Sequence, residues 1–124
     1  MRNAESKQSL NFLPYAGCMK WETDLTSEPC VVRIDGDVDV TSLPELAALE
    51  AQIASRGSVI FQVAGLHYAD TSFLRFLVRL RAHVNKAQPG AIRLAGAGPK
   101  LRRLLEVTGL QRTFPCIDPI ADRV

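Results

Sequence analysis

Residues 59–81 read VIFQVAGLHYADTSFLRFLVRLR and contain a complete strand–connection–helix unit. The first five residues, 59–63, are rich in β-branched and aromatic side chains and almost continuously apolar, which is typical of a strand covered on both faces. A connection over Gly65 to Tyr68 follows. The rest begins an amphipathic helix whose i, i+3, i+4, i+7 spacing continues to residue 84. Its predicted inward stripe is Phe73, Phe76, Leu77, Leu80 and Val84, and Arg75, Arg79 and Arg81 lie largely off that stripe.

The sequence before this unit predicts a hairpin and a capped helix. Residues 19–25 alternate as a strand does, and residues 30–34 form a second, β-branched strand after a Ser-Glu-Pro turn. Ser42 and Glu45 have the S-x-x-E spacing of a capping box. The helix they begin ends near Gly57, and its predicted inward stripe is Leu43, Leu46, Ala47, Leu49, Ile53 and Ala54.

The sequence after the unit continues the alternation of strands and helices. Residues 91–95 predict a central strand, residues 99–108 a helix that Gly109 ends, and residues 114–117 a short last strand. A hairpin followed by alternating helices and strands predicts a mixed sheet with right-handed crossovers. The expected fold is therefore α/β, a single domain whose mixed sheet of four to five strands has helices packed against it.

Length and charge narrow the possible classes of protein. The chain of 124 residues has room for one domain, which we expect at 19–124 after a flexible N-terminal extension at 1–18 that lacks periodicity. Fifteen basic against thirteen acidic residues leave a net charge of +2, which does not predict direct nucleic-acid binding. No apolar run approaches the roughly 20 residues of a membrane helix, and the start lacks the apolar core of a signal peptide. These features predict a cytoplasmic protein without membrane association.

Cysteine and histidine spacing does not predict a metal site or a cofactor. Cys18, Cys30 and Cys116 are odd in number and contain no C-x-x-C pair, so we expect reduced thiols in or beside the core. His67 and His83 lie far apart in the sequence with no third ligand pattern between them. Since no Ser–His–Asp, Cys–His or paired-glutamate arrangement occurs either, the chain is not expected to be an enzyme.

The segment Ala69-Asp70-Thr71-Ser72-Phe73 lies where the connection meets the helix and has two interpretations. In the structural one, Asp70, Thr71 or Ser72 caps the helix, which contributes about 1 kcal/mol. In the functional one, a hydroxyl carries a phosphate that faces backbone N–H groups and the positive end of the helix dipole. A group of roughly −1.5 to −2 charge would repel a partner docked over this turn, and Asp70 would add to that repulsion. The pattern alone leaves both open.

Two other polar segments also have two interpretations each. Asp37 and Asp39 flank Val38, and they form either a polar loop leading into a helix or one wall of a partner-binding surface. The glycine-rich segment 96–100 resembles a phosphate-binding loop, but it lacks the G-x-x-x-x-G-K-[ST] spacing and contains a proline. A turn between a strand and a helix explains it.

Four short segments occur in order along the chain: GDVD at 36–39, ADTS at 69–72, IRLAG at 92–96 and RLLEVTGL at 103–110. In this order they resemble the STAS domain of bacterial anti-sigma factor antagonists, in which the first segment is G-E-[LI]-D and the second D-[ST]-S. The resemblance covers about residues 19–120, and the combined order is more specific than any one motif.

The resemblance implies a regulator of sigma-factor-dependent transcription that works by partner switching. Such proteins bind a cognate anti-sigma factor that is also a serine kinase, and so release a sigma factor. Phosphorylation of the second hydroxyl, here Ser72 with Thr71 as a secondary acceptor, blocks binding, and a serine phosphatase restores it. The chain would be a phosphoprotein and a monomer when free, with a partner-binding surface of Asp37, Asp39, Asp70, Thr71, Ser72 and Phe73.

One departure from the family pattern concerns Phe73, because the family places glycine directly after the phosphorylated serine. Glycine there lets a partner backbone approach closely. Phe73 either joins the core stripe of the helix or alters the contact surface and with it the choice of partner. The sequence does not separate these readings.

Two other functions compete with the antagonist. A STAS module with a permanent partner, such as an accessory subunit of a bacterial lipid-transport ATPase complex, would have the same fold and a more apolar exposed face. A small enzyme or nucleotide binder is the third possibility, and it lacks a supporting constellation of side chains.

Overall fold

The computed structural model describes residues 19–26, 28–83 and 91–119. The predicted extension at 1–18 lies outside these residues, as does Val84 of the predicted helix stripe. Three helices and six strands follow one another in the described part, with a short 3₁₀ turn at Val40–Ser42: β1 Met19–Asp24, β2 Cys30–Val38, α1 Leu43–Ile53, β3 Val59–Gln62, β4 Leu66–Ala69, α2 Thr71–Arg81, β5 Ile92–Ala95, α3 Pro99–Thr108 and β6 Cys116–Ile117.

The strands form one mixed sheet, in agreement with the predicted class. Strand β1 pairs antiparallel with β2, and the pairs β2–β3, β3–β5 and β5–β6 are all parallel. The order across the sheet is β1-β2-β3-β5-β6, and β4 pairs with β2 beyond the end of β3. The carboxyl ends of the parallel strands therefore lie along one edge, where ligand sites of open α/β sheets are usually found.

The sheet has six strands rather than four to five because most of the predicted connection at Gly65 to Tyr68 belongs to β4. Strand β3 pairs with the first half of β2, and β4 pairs with its second half. At the break between them the Gly36 N–H donates to the Gly65 carbonyl at 2.9 Å. A side chain at Gly65 would collide with the Asp35 carboxylate, so glycine permits this close approach.

A single hydrophobic cluster joins the sheet to the three helices. In β2, buried Val32 and Ile34 alternate with exposed Arg33 and half-buried Asp35, which identifies one face of the strand as the core face. Each fully buried Leu, Ile or Phe contributes about 1.5–3 kcal/mol relative to its exposed state. The helices contribute to this core Leu46, Leu49, Ile53, Phe73, Leu74, Phe76, Leu77, Leu80, Leu101 and Leu105.

The start of α1 differs from the sequence prediction, and α1 ends at Ile53, a few residues before the predicted end near Gly57. Ser42 makes no side-chain cap to α1, so the capping box predicted for Ser42 and Glu45 is not formed. Asp39 caps the preceding 3₁₀ turn instead, and the Asp39 N–H donates to the Ser42 hydroxyl at 3.2 Å. The box is therefore displaced by one turn because the 3₁₀ turn runs directly into α1. As a consequence Leu43 lies at the helix start with 51% of its surface exposed, and its predicted inward position is wrong.

The cysteines in the described part are free thiols, as predicted. Cys30 is fully buried in the core, and burial raises the pKa of its thiol to about 11. Cys116 is half-buried, and the pKa of its thiol is also raised, mainly because burial removes it from water. Cys18 lies outside the described residues.

Candidate functional site

The ends of β2 and β4 bring two predicted site residues side by side. Val38 and Ala69 are partners in the parallel register, and the Asp70 N–H donates to the Val38 carbonyl at 3.3 Å. Asp39 and Asp70 directly follow these paired residues. The carboxyl edge of the sheet therefore carries two acidic residues, each at the entrance to a helical segment.

Asp70 is the residue that caps α2. It has extended backbone angles, and its Oδ1 accepts a hydrogen bond from the Ser72 N–H at 2.8 Å. Its carbonyl accepts a second hydrogen bond from the Phe73 N–H at 3.0 Å. Of the three predicted capping residues, Asp70 thus has this role, and the side chains of Thr71 and Ser72 do not.

Asp39 has the equivalent position at the start of the 3₁₀ turn. Its Oδ1 accepts hydrogen bonds from the Thr41 N–H at 2.9 Å and from the Thr41 hydroxyl at 2.6 Å. Two carboxylates in the same local geometry therefore hold two neighbouring helical segments at one edge of the sheet. Such caps contribute about 1 kcal/mol each and fix the direction in which each segment leaves its strand.

The two candidate hydroxyls lie in the first turn of α2. Thr71 is exposed, Ser72 is half-buried, and no described residue hydrogen-bonds to the Ser72 hydroxyl. However, the N–H groups of Ser72 and Phe73 both donate to Asp70, so these helix-terminal donors are already occupied. The expectation that a phosphate on Ser72 would face free N–H groups is therefore wrong for these two donors.

Phe73 does not belong to the exposed surface, and its prediction as a partner-contacting side chain is wrong. The ring is completely buried and lies edge-on to Phe61, with 6.4 Å between ring centroids. Phe76 stacks beside it at 6.2 Å. The physical reason is the helical periodicity, which places position 73 on the same inward stripe as Phe76 and Leu77.

Asp37 lies apart from the helix starts. It pairs with Tyr68 in the register of β2 and β4, and it lines an open groove of about 520 Å³. The groove places both signs of charge together, with Lys20, Arg33, Asp35 and His67 as the other charged or titratable lining residues. Asp37 and Asp39 are close in sequence, but Asp39 acts as a cap and Asp37 as a groove residue.

Three exposed apolar side chains that lie close to the two caps in the sequence were not predicted, and they are called the apolar rim below. It consists of Val40, Leu43 and Tyr68, which are 63%, 51% and 51% exposed. All three lie within four residues of Asp39 or Asp70 in the sequence. Helical periodicity predicted that Leu43 faces the core. It is exposed because the capping box forms one turn earlier, in the 3₁₀ turn before α1. Large exposed apolar side chains are among those that protein-binding surfaces use.

The described part of the chain has neither a metal-binding cluster nor a membrane-spanning helix. Among residues 19–26, 28–83 and 91–119 no group of three or more His, Cys, Asp or Glu side chains could hold a metal ion. None of the helices in the same ranges combines the length and apolar character needed to span a bilayer.

Solved structures share this fold at low sequence identity. An anti-sigma factor antagonist from Mycobacterium paratuberculosis matches with a TM-score of 0.70 and 20% identity, covering 84% of this chain and 88% of that one. The Bacillus cell fate determinant SpoIIAA in its phosphorylated form matches at 0.63 and 16% identity, covering 82% and 93%. An anti-sigma-factor antagonist (STAS) domain protein from Planctomyces limnophilus matches at 0.63 and 17% identity, covering 82% and 89%.

Sequence comparison identifies the family. A search among curated proteins found no significant match. A family model described as "Mlab, STAS domain" matches residues 21–118. This range includes all three helices and all six strands, apart from the first two residues of β1. Family model and fold agree with the order of motifs along the chain, and the chain belongs to the STAS domain family.

Proposed function

We propose that the chain is an anti-sigma factor antagonist that binds an anti-sigma factor with serine kinase activity and is released from it by phosphorylation of Ser72. The observation that carries the proposal is the position of the Ser72 hydroxyl. It lies in the first turn of α2, directly after the Asp70 cap, with no hydrogen bond from the described residues. A serine phosphatase would remove the phosphate and restore binding.

The surface around Ser72 explains how a phosphate would act. A partner that covers the apolar rim of Val40, Leu43 and Tyr68 also covers the start of α2, because Tyr68 lies two residues before Asp70. Docking there removes the first turn of the helix from water. A phosphate on Ser72 would then have to lose its hydration beside the Asp70 carboxylate, which is an unfavourable change for a doubly charged group.

A kinase assay tests the modification. The protein is incubated with ATP and each candidate anti-sigma factor kinase of the native host, and the products are mapped by peptide mass spectrometry. We expect one phosphate on the wild type and on Thr71→Ala, and none on Ser72→Ala. Thr71→Ala is the matched control because it removes the neighbouring hydroxyl and keeps Ser72. Absence of phosphate on Ser72 with every kinase would contradict the proposal.

A binding titration tests the effect on the partner. Ser72→Asp places one negative charge where the partner docks, and we expect at least a tenfold increase in Kd, which corresponds to about 1.4 kcal/mol. Ser55→Asp is the matched control, because Ser55 is exposed and lies near the amino end of β3, at the opposite edge of the sheet. Equal affinities of wild type and Ser72→Asp would remove Ser72 as the switch.

A second candidate function is a STAS module with a permanent partner, such as an accessory subunit of a lipid-transport ATPase complex. Two observations favour it: the family description names Mlab, and the apolar rim is exposed in the free chain. A permanent partner predicts a stoichiometric complex when the protein is purified from its host, and no phosphate on Ser72 under any growth condition. A phosphorylated free monomer would exclude it.

A further inference from the structure

Asp70 occupies two backbone donors beside the Ser72 hydroxyl. The Ser72 and Phe73 N–H groups donate to Asp70, and the Asp70 carboxylate lies within the same turn at 2.8 Å from the Ser72 nitrogen. A phosphate on this hydroxyl would add about two negative charges next to that carboxylate. Since the Ser72 and Phe73 N–H groups are occupied by Asp70, a cationic side chain is the natural source of further positive charge for this group.

Arg75 occupies the position from which a side chain can supply that charge. On an α-helix, residues three and four apart are surface neighbours with about 5–6 Å between their Cβ atoms, so Arg75 neighbours both Ser72 and Thr71. Arg75 is exposed, and its guanidinium forms no ion pair within the described residues. The next arginine along the helix, Arg79, is instead paired with Glu50 at 3.3 Å.

We propose that Arg75 is the counter-charge residue for a phosphoryl group on Ser72, an inference that rests on the proposed phosphorylation of that serine. The guanidinium presents two parallel N–H donors whose spacing matches two phosphate oxygens. One helical turn separates the two residues, so the contact forms without a change in the backbone. Arg75 thus acts as a positioning residue that holds the phosphate against the exposed side of α2.

The contact would change the surface presented to a partner in two ways. Phosphorylation adds negative charge at Ser72, and at the same time Arg75 turns from a hydrated, available cation into one half of an intramolecular pair. A partner that uses Arg75 as a contact loses it in the same step. A partner therefore meets the phosphate and loses a cationic contact in the same step, without any unfolding of the helix.

The test measures the phosphate directly on the full chain. Phosphoserine is installed at position 72 during translation, so no kinase is needed, and the second ionisation of the phosphate is followed by ³¹P NMR against pH. We compare wild type, Arg75→Gln and Arg103→Gln. Arg103 is exposed on α3 and serves as the matched control for the loss of one positive charge. Unphosphorylated Arg75→Gln should unfold at the same denaturant concentration as wild type, since exposed substitutions change stability by less than about 0.5 kcal/mol.

Because a guanidinium favours the doubly charged phosphate, the wild-type midpoint should lie about 0.3 pH units below that of Arg75→Gln, the size expected of a helical ion pair. Arg103→Gln should match the wild type. Equal midpoints in wild type and Arg75→Gln, or an equal shift in Arg103→Gln, would overturn the role of Arg75. These outcomes are separate from the proposed function, which fails if the host's kinases never modify Ser72.

Discussion

Phe73→Ala removes the ring that connects α2 to the centre of the sheet. Its ring lies edge-on to Phe61 of β3, with an interplanar angle of 85°, and stacks on Phe76 at 20°. Neither Phe73 nor Phe61 is exposed at all. The substitution therefore leaves a cavity in the part of the core on which the candidate site is built.

The size of the effect follows from these contacts. Replacing a buried phenylalanine by alanine costs about 3–5 kcal/mol, including the cavity. Each aromatic pair adds about 0.5–1.5 kcal/mol beyond its buried area, and Phe73 takes part in two pairs. Because the range for a whole buried phenylalanine already includes such ring contacts, we expect the free energy of unfolding to fall by about 4 kcal/mol. Domains of this size have roughly 5–15 kcal/mol in total, so the variant should fold with a much reduced margin.

Equilibrium unfolding in urea, followed by circular dichroism, measures the loss. Phe73→Leu should lose clearly less than Phe73→Ala because it fills most of the volume. Val78→Ala is the control on the exposed side of the same helix, where the side chain is 49% exposed, and it should lose less than about 1 kcal/mol. A loss below 1 kcal/mol for Phe73→Ala, with an unchanged slope against urea, would refute the placement of this ring in the core.

Two further predictions concern the cap and the buried thiol. Asp70→Ala removes the acceptor of the Ser72 N–H and should lower the free energy of unfolding by about 1 kcal/mol in the same urea assay. Asp70→Asn keeps an acceptor and should lower it by only a few tenths of a kcal/mol. Equal losses would show that the charge of Asp70 matters and not its hydrogen bond. Burial raises the pKa of Cys30 from 9.0 to about 11, so its contribution to stability is complete below pH 9 and is lost as pH rises to 11. Between these values the unfolded thiol has released its proton and the folded one has kept it, which gives about 2–3 kcal/mol in total. Wild type should therefore lose more stability than Cys30→Ala over this range, and parallel curves would contradict the burial of the thiol.

The elements that depend on local periodicity could be predicted from the sequence. Helix α3 begins at Pro99 and ends at Thr108 as expected, because Gly109 adopts the left-handed backbone that ends a helix, with a φ of 77°. Strand β4 could not be predicted in the same way. It has four residues, and it exists because Gly65 passes close to Asp35 and lets the chain pair with the second half of β2. That is a non-local contact, and no window of sequence around residues 66–69 contains it.

The candidate site also has features that local sequence predicts and features that depend on contacts between distant segments. The 69–73 segment could be singled out from its hydroxyls at a predicted helix start, and the role of Asp70 as cap is a local one. Two features depend on tertiary structure instead: the neighbouring position of Asp39, which requires β2 and β4 to pair, and the exposure of the rim, which requires the 3₁₀ turn before α1. The displaced capping box illustrates why, because Ser42 satisfies the spacing rule with Glu45 and yet bonds to Asp39.

The neighbouring positions of Ser72 and Phe73 limit how a phosphate could act here. Phe73 anchors the first turn of α2 in the core, and Asp70 fixes the same turn to the end of β4 through its carboxylate and its carbonyl. A phosphate on Ser72 would therefore be attached to a turn that is held at two points. Melting this turn would require removal of a buried aromatic ring from the core, at a cost of several kcal/mol, which exceeds the repulsion expected between exposed charges. Any switch at this serine must consequently operate through the charge it presents to a partner, and the backbone of the first turn should have the same conformation in both forms.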